Sequence, residues 1–112
     1  VDRNEFQANM ETEKLIPLEP LVDKFESFGC EVKRINGHSF DDLENTFTKL
    51  PFKKNKPSVI ICDTVRGKGL PSIEKKADRW FVNFSKSEIK NLIKELHGEG
   101  EANLTSEKLT VR

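Results

Sequence analysis

Three stretches of the chain place apolar residues three or four positions apart, the spacing of one face of an α-helix. They comprise Leu18, Leu21, Val22, Phe25 and Phe28, then Phe40, Leu43, Phe47 and Leu50, and finally Ile89, Leu92, Ile93 and Leu96. Flanking residues agree, because Pro20 suits a first helical turn, Gly29 suits a left-handed helix end and Ser39 suits an N-cap. The pattern therefore predicts three helices.

The last of these helices has the clearest boundaries. Ser85 and Glu88 have the spacing of a capping box, and Phe84 and Ile89 can form the hydrophobic staple that accompanies one. Gly98 ends the pattern. We expect the four apolar residues of this stretch to form the buried face of the helix.

Short apolar runs between the helices predict strands. Val59–Cys62 is a continuous apolar run, typical of a strand buried on both faces. Residues 30–35 form a second strand that ends at the turn signal Asn36-Gly37, and Val1-Asp2 resembles the end of a third. Strands that alternate with helices predict an α/β fold with a parallel sheet and right-handed crossovers.

Composition narrows the class of protein. The chain has 112 residues, of which 35% are hydrophobic and 34% charged, enough for one domain with its own core. Nineteen basic residues balance nineteen acidic ones, so the charge favours neither nucleic acid nor an anionic membrane. No apolar run approaches the roughly 18 residues of a membrane span, and no signal peptide leads the chain. We therefore expect a cytoplasmic protein.

Some segments lack the periodicity of helices and strands, and the two cysteines are not predicted to form a disulfide. Residues 8–17 and 65–84 are predicted loops, and residues 98–112 are a predicted polar tail. A loop as long as 65–84 is usually either functional or disordered in a compact domain. Cys30 and Cys62 fall at opposite ends of the predicted sheet, so we expect no disulfide between them.

The carboxyl ends of the predicted strands carry the candidate chemistry. Asn4 follows the first strand, His38 follows the second, and Gly67-Lys68-Gly69 follows the third. Open parallel sheets bind ligands at this edge. Gly67-Lys68-Gly69 offers free backbone N–H groups and one cation, which can hold a phosphate. Taken singly, each segment is equally consistent with an ordinary turn.

Together these segments resemble the later part of the thiamine-diphosphate-binding domain of transketolases, particularly the split bacterial type. The matching stretches are residues 1–7, 20–29, Val32, Gly37-His38, residues 56–60, residues 64–69, Glu74 and Trp80. The resemblance covers residues 1–97, with residues 98–112 as the tail. It implies a partial parallel sheet with flanking helices, part of a thiamine-diphosphate-binding fold.

The resemblance also implies a site. Asn4 matches a family asparagine that ligates the divalent metal, Mg²⁺ or Ca²⁺, and the backbone carbonyl of Phe6 matches a second ligand. The implied cofactor-binding residues are Asn4, Phe6, His38, Gly67, Lys68 and Gly69. No catalytic side chain is assigned to this chain, because the thiamine diphosphate supplies the difficult carbon chemistry. The implied reaction transfers a two-carbon ketol unit between sugar phosphates or related sugars.

Departures from the family pattern shape the remaining expectations. The family's Gly-Asp-Gly motif belongs upstream of Val1, so we expect the chain to be a piece of a larger enzyme that is inactive alone. Phe81 stands where the family has a histidine.

The implied partner is the pyrimidine-binding half or subunit. We expect an open strand edge at Val1 and hence a homo-oligomer. The alternative hypothesis is a non-catalytic α/β module that binds a nucleotide or another protein.

Overall fold

A computed structural model describes residues 1–79 and 81–106 of the chain. Its elements are β1 (Asp2–Arg3), β2 (Phe6–Gln7), β3 (Met10–Glu11), α1 (Thr12–Leu15), α2 (Leu21–Ser27), β4 (Glu31–Asn36), α3 (Phe40–Phe47), β5 (Ser58–Asp63), a 3₁₀ turn (Ala77–Arg79) and α4 (Lys86–Leu96). The sequence match at Trp80 and the last six residues of the predicted tail, 107–112, lie outside the described residues.

The contacts divide the chain into two compact units. Unit 1 comprises residues 1–5 and 12–64, and unit 2 comprises residues 6–11 and those from 65 onward. The chain passes between them after Glu5, after Glu11 and after Thr64.

Unit 1 contains a parallel sheet of three strands in the order β1, β5, β4. All six residues of β4 pair in register with β5, from Glu31 beside Ser58 to Asn36 beside Asp63. Ile61, in the central strand, is completely buried, whereas its neighbours in that strand are partly exposed. The predicted parallel α/β fold is confirmed, although the predicted burial of both faces of β5 is complete only at Ile61.

The predicted loop at residues 8–17 is wrong in part. A tight turn at Ala8 and Asn9 joins β2 to β3 in an antiparallel hairpin, and Ala8 has the positive φ of 51° that such a turn uses. Helix α1 follows directly. Two-residue strands are too short to produce visible alternation, so the pattern of apolar residues could not reveal this hairpin.

The helix boundaries follow local signals. Gly29 has a φ of 83° after α2, and the Ser39 hydroxyl accepts a hydrogen bond from the Asp42 N–H at the start of α3. Ser85 and Glu88 form the predicted capping box at the start of α4. Cys30 and Cys62 are both free thiols, as expected.

The predicted buried face of α4 is wrong. Ile89, Ile93 and Leu96 are 47%, 52% and 60% exposed, while Glu88 and Glu95 are 4% and 5% exposed. The physical reason is hydrogen bonding. Both buried carboxylates accept hydrogen bonds from backbone N–H groups of surrounding loops, which offsets the cost of removing their charge from water.

Residues 102–106 lie against α4 rather than apart from it. The Glu88 carboxylate accepts hydrogen bonds from the N–H groups of Thr105 and Ser106 at 2.7 and 2.8 Å, and from the Ser106 hydroxyl. The Glu95 carboxylate accepts a hydrogen bond from the Ala102 N–H at 3.1 Å. The beginning of the predicted polar tail is therefore part of unit 2.

Candidate cofactor-binding rim

The three parallel strands of unit 1 end level with one another. Arg3 is in register with Asp63, and Asp63 is in register with Asn36. Asn4, Gly37-His38 and Thr64 therefore follow the carboxyl ends of adjacent strands at one edge, which we call the rim. With neighbouring strands about 5 Å apart, Asn4 and His38 begin about 10 Å from each other across β5.

The rim is tightly packed at Gly37. The Gly37 N–H donates to the Asp63 carbonyl at 2.7 Å. A Cβ added at Gly37 would lie 2.5 Å from Cγ2 of Thr64 and 2.9 Å from Cβ of Cys62. Real Cβ atoms do not approach other atoms so closely, so a side chain here would displace the end of β5. Glycine is needed because the β4 and β5 ends meet without space between them.

The turn after β4 places His38 at the rim. The Asn36 side-chain oxygen accepts a hydrogen bond from the His38 N–H at 3.0 Å, an arrangement typical of an asparagine turn. The His38 side chain is half-buried. The Asn36 side chain thus fixes the backbone at His38 and with it the position of the imidazole.

Asn4 lies at the end of β1 and is half-buried. Its side-chain nitrogen donates to Oδ2 of Asp2 at 3.4 Å. The other carboxylate oxygen of Asp2 accepts a hydrogen bond from the Thr64 hydroxyl. Two strands therefore contribute polar groups around Asp2, directly beside the predicted metal ligand.

A second set of polar residues lies on the opposite face of the same sheet, because alternate residues of a strand point to opposite sides. Arg3 is 4% exposed and pairs with Glu13 at 2.7 Å and with Glu19 at 3.1 Å. Arg34 pairs with Glu19 at 3.1 Å and with Asp63 at 2.8 Å. We call these five residues the ion network.

The ion network shifts the pKa of two of its members, Glu19 and Arg34. Hydrogen bonds from Arg34, from the Leu21 N–H and from Arg3 lower the pKa of Glu19 from 4.5 to about 2, despite the opposing effect of burial. Hydrogen bonds to Asp63 and then to Glu19 raise the pKa of Arg34 well above its usual value. Sequence analysis missed this network because its bonded partners are up to 29 residues apart and no local pattern connects them.

The remaining predicted site residues lie in unit 2. Phe6 is in β2, and the guanidinium carbon of Arg66 lies 5.0 Å from the centre of its ring, a cation–π contact. Arg66 also donates a hydrogen bond to the Ala8 carbonyl. The hairpin of β2 and β3 and the segment after residue 65 are thus joined through Arg66.

The predicted phosphate-binding loop differs from expectation at Lys68. Its N–H donates to the Val65 carbonyl at 3.2 Å, so this N–H is not free as predicted. Gly67 and Gly69 have φ values of 74° and 94°, the left-handed region that favours glycine. Among the described residues, no backbone hydrogen bond outside the helices and strands has the N–H of Gly67 or Gly69 as its donor. The Lys68 side chain is exposed.

A small cavity in unit 2 adjoins this loop. It has a volume of about 70 Å³ and is lined by Arg66, Gly67, Ile73, Lys76 and Arg79. Three of the five lining residues are cationic, although most of the exposed lining of the cavity is apolar. Both Lys76 and Arg79 also donate to backbone carbonyls, those of Ser72 and Ser106 respectively.

The structure thus brings Asn4 and His38 to one edge of unit 1, and Phe6 and Gly67–Gly69 into unit 2. Within residues 1–79 and 81–106, no three His, Cys, Asp or Glu residues form a metal-binding group. A metal at the rim would therefore depend on oxygens such as the side-chain carbonyl of Asn4. Mg²⁺ and Ca²⁺ accept such oxygens, together with phosphate oxygens of a ligand, so the donor set fits a hard cation.

In the described part of the chain, no helix combines the length and apolar character needed to cross a membrane.

The fold and the rim define an α/β domain of the type that binds a ligand at the carboxyl ends of parallel strands. The sequence model of the transketolase thiamine diphosphate binding domain matches residues 1–106, and the chain belongs to this family. The match extends past residue 97, whereas the predicted division into residues 1–97 and 98–112 stays a prediction.

Curated relatives include subunits of bacterial transketolases. The chain is 33% identical over 99 residues to the 6-deoxy-6-sulfo-D-fructose transketolase subunit SqwG of Clostridium sp. (strain MSTE9), which covers 88% of this chain and 36% of the relative. It is 34% identical over 74 residues to an apulose-4-phosphate transketolase subunit of Phocaeicola vulgatus, covering 66% and 26%. The corresponding subunit of Actinobacillus succinogenes is 29% identical over 99 residues, covering 88% and 35%. The chain thus spans about a third of the length of these relatives.

Proposed function

We propose that this chain is the cofactor-binding part of a transketolase that transfers a two-carbon ketol unit between sugars. The observation that carries the proposal is the level ending of three parallel strands, which gathers Asn4 and His38 at one edge in a chain of this family. When bound, thiamine diphosphate supplies the carbon chemistry of the transfer, and the protein binds and orients it.

Each proposed site residue has a defined role. The side-chain oxygen of Asn4 and the backbone carbonyl of Phe6 bind Mg²⁺ or Ca²⁺, which also binds the diphosphate of the cofactor. His38, Gly67, Lys68 and Gly69 contact the cofactor. Arg66, Lys76 and Arg79 supply positive charge near Gly67 in this part of the chain. No residue of this chain is assigned a proton transfer.

The substrate we propose is a ketose with an anionic end group. Two relatives are named for 6-deoxy-6-sulfo-D-fructose and for apulose 4-phosphate, a sugar sulfonate and a sugar phosphate. Phe81, which can neither donate a hydrogen bond nor act as an acid or base, stands in the irregular segment before α4. We therefore expect binding of the sugar to involve polar groups other than this position.

The proposed enzyme needs a second part. Relatives of this chain are named as subunits, which supports a partner that carries the pyrimidine-binding half. Within the described residues β1 is an edge strand of the sheet, and such edges favour pairing with another chain. We propose that the protein works as an assembly, in the cytoplasm, and that this chain alone is inactive.

The proposal is tested by titrating the complete protein, together with its partner, with thiamine diphosphate and Mg²⁺ in a calorimeter. Asn4→Ala removes one proposed metal ligand, so we expect metal-dependent affinity for the cofactor to fall at least about ten-fold. Asn91→Ala, at an exposed position of α4, is the matched control and is expected to bind like the wild type. Unchanged affinity in Asn4→Ala would refute the proposed ligand.

A further inference from the structure

Asn4, Asp2 and Thr64 form a short chain of hydrogen bonds on one face of the sheet. Asp2 and Asn4 are two residues apart at the end of β1, so their side chains point to the same side. Asp2 is in register with Cys62, and Thr64 is two residues beyond Cys62. The same alternation therefore brings Thr64 to the side chain of Asp2, where its hydroxyl donates to Oδ1.

This chain of hydrogen bonds has one direction. A carboxylate accepts hydrogen bonds and donates none, so the Asn4 atom that faces Asp2 is its side-chain nitrogen. Nδ2 of Asn4 donates to Oδ2, and the Thr64 hydroxyl donates to Oδ1, so both oxygens of the carboxylate are engaged. The amide plane of Asn4 then directs its carbonyl oxygen away from Asp2.

Thr64 is itself fixed by its surroundings. Its N–H donates to the Arg3 carbonyl at 3.3 Å, which holds the backbone after β5 against β1. Its methyl group lies 2.5 Å from where a Cβ of Gly37 would be, so the missing side chain of Gly37 provides the space that this methyl occupies. With the methyl group placed against Gly37, the hydroxyl is directed to Asp2.

We propose that Asp2 and Thr64 are positioning residues that orient the side chain of Asn4, so that its oxygen faces the metal ion of the bound cofactor. Neither residue contacts the metal or the substrate. Gly37 is part of the same arrangement because it leaves room for Thr64. The inference rests on the proposed function, in which Asn4 is the metal ligand. Partners of this kind orient metal ligands in other proteins, and their loss typically lowers metal affinity by about 10- to 100-fold.

The test compares Thr64→Val with Thr64→Ser in the complete protein. Valine keeps the shape of threonine and loses the hydroxyl, whereas serine keeps the hydroxyl. We expect Thr64→Val to weaken Mg²⁺ binding about ten-fold or more at saturating thiamine diphosphate, and Thr64→Ser to restore it to within about three-fold of the wild type. Thermal unfolding of both variants verifies that they fold equally well.

A second measurement needs no cofactor. The side-chain amide signals of Asn4, identified by their loss in Asn4→Ala, are followed by NMR in the cofactor-free protein. We expect them to shift in Thr64→Val and to stay near their wild-type positions in Thr64→Ser. If Thr64→Val does not fold, Asp2→Asn takes its place, because Asp2 is exposed. The amide introduced at position 2 can itself donate, so it no longer requires a donor from Asn4.

The outcomes separate the inference from the proposed function. Weak Mg²⁺ binding in Asn4→Ala with wild-type binding in Thr64→Val would leave Asn4 as a ligand and overturn the positioning role. Wild-type binding in both variants would overturn the metal role of Asn4 and the inference with it. Unshifted Asn4 amide signals in Thr64→Val would also overturn the inference, whatever the affinities.

Discussion

The two units stabilise their buried charges in different ways. In unit 1, the buried guanidinium of Arg3 is balanced by the carboxylates of Glu13 and Glu19. In unit 2, the buried carboxylates of Glu88 and Glu95 are bound by backbone N–H groups and serine hydroxyls. The buried charge is met by opposite charges in unit 1 and by neutral donors in unit 2.

The difference follows from what each unit must hold together. The ion network of unit 1 joins the strands of the sheet to α1 and to the segment before α2, where Glu13 and Glu19 also accept hydrogen bonds from the N–H groups of Leu18 and Leu21. The carboxylates of unit 2 instead accept hydrogen bonds from N–H groups in irregular segments. Glu95 connects Ser72 to Ala102, and Glu88 connects Ser85 to Ser106. The buried cation of unit 1 thus connects the sheet to α1, whereas the buried carboxylates of unit 2 connect α4 to irregular segments.

Both arrangements lower the pKa of a carboxyl group by different means. Contact with a guanidinium lowers the pKa of Glu19 to about 2. Burial raises the pKa of Glu95, but hydrogen bonds from Ser72 and the Ala102 N–H outweigh it, and the pKa is lowered overall. The Ser106 hydroxyl and N–H, followed by the Ser85 N–H, lower the pKa of Glu88 well below its usual range.

The largest effect is expected from Arg3→Met. The substitution keeps the length of the buried stem and removes the charge, which leaves the two carboxylates and Thr12 without their shared donor. Breaking a buried ion pair from one side costs about 3 kcal/mol in the free energy of unfolding. Urea unfolding measures the loss. Arg34→Met, at a partly exposed position, is the control and should cost less than half as much.

A smaller effect is expected from Glu95→Gln. Glutamine has only one acceptor oxygen in its side chain. Its amide nitrogen would therefore face a group of Ser72 or Ala102 that now donates a hydrogen bond to Glu95. A buried donor without an acceptor costs about 2 kcal/mol. Urea unfolding tests the value, and amide hydrogen exchange at Ser72 and Ala102 should become faster. Wild-type stability in this variant would show that these hydrogen bonds do not require a charged acceptor.

The smallest effect concerns the pH dependence of Glu19. Its pKa is lowered from 4.5 to about 2 in the folded protein, so its contribution is present above pH 4.5 and is lost as the pH falls towards 2. Because Glu19 is about a third exposed, solvent screening leaves about 1 kcal/mol. Comparing urea unfolding of the wild type and Glu19→Gln should show a constant difference near pH 6 that shrinks below pH 4.5. A difference unchanged at pH 2.5 would contradict the assigned cause.

The elements with local signals could be predicted from the sequence. Ser39 and the pair Ser85 and Glu88 act through neighbours three residues away, so their roles as caps are visible in the sequence itself. The parallel sheet and its common edge also followed from the alternation of strands and helices. The resemblance to transketolases then supplied the family, which the comparison confirmed.

The buried face of α4 could not be predicted in the same way. Periodicity shows which residues share a face, and Glu88 and Glu95, seven residues apart, share one as clearly as the apolar residues do. Which face is covered depends on partners elsewhere, such as Ser72, 23 residues from Glu95. The hydrogen bond of the Lys68 N–H and the role of Asp2 at the rim were missed because each depends on a contact that appears only after folding.

The hairpin of β2 and β3 begins and ends at nearly the same point of unit 1. The Thr12 N–H donates to the Glu5 carbonyl at 2.8 Å, and the Thr12 hydroxyl donates to the same oxygen. A segment whose two ends already meet behaves as an insertion between fixed anchors, so evolution can vary its length without shifting the strands that flank it. The turn residue Asn9, away from the proposed ligand Phe6, is accordingly where an engineer could graft a reporter peptide.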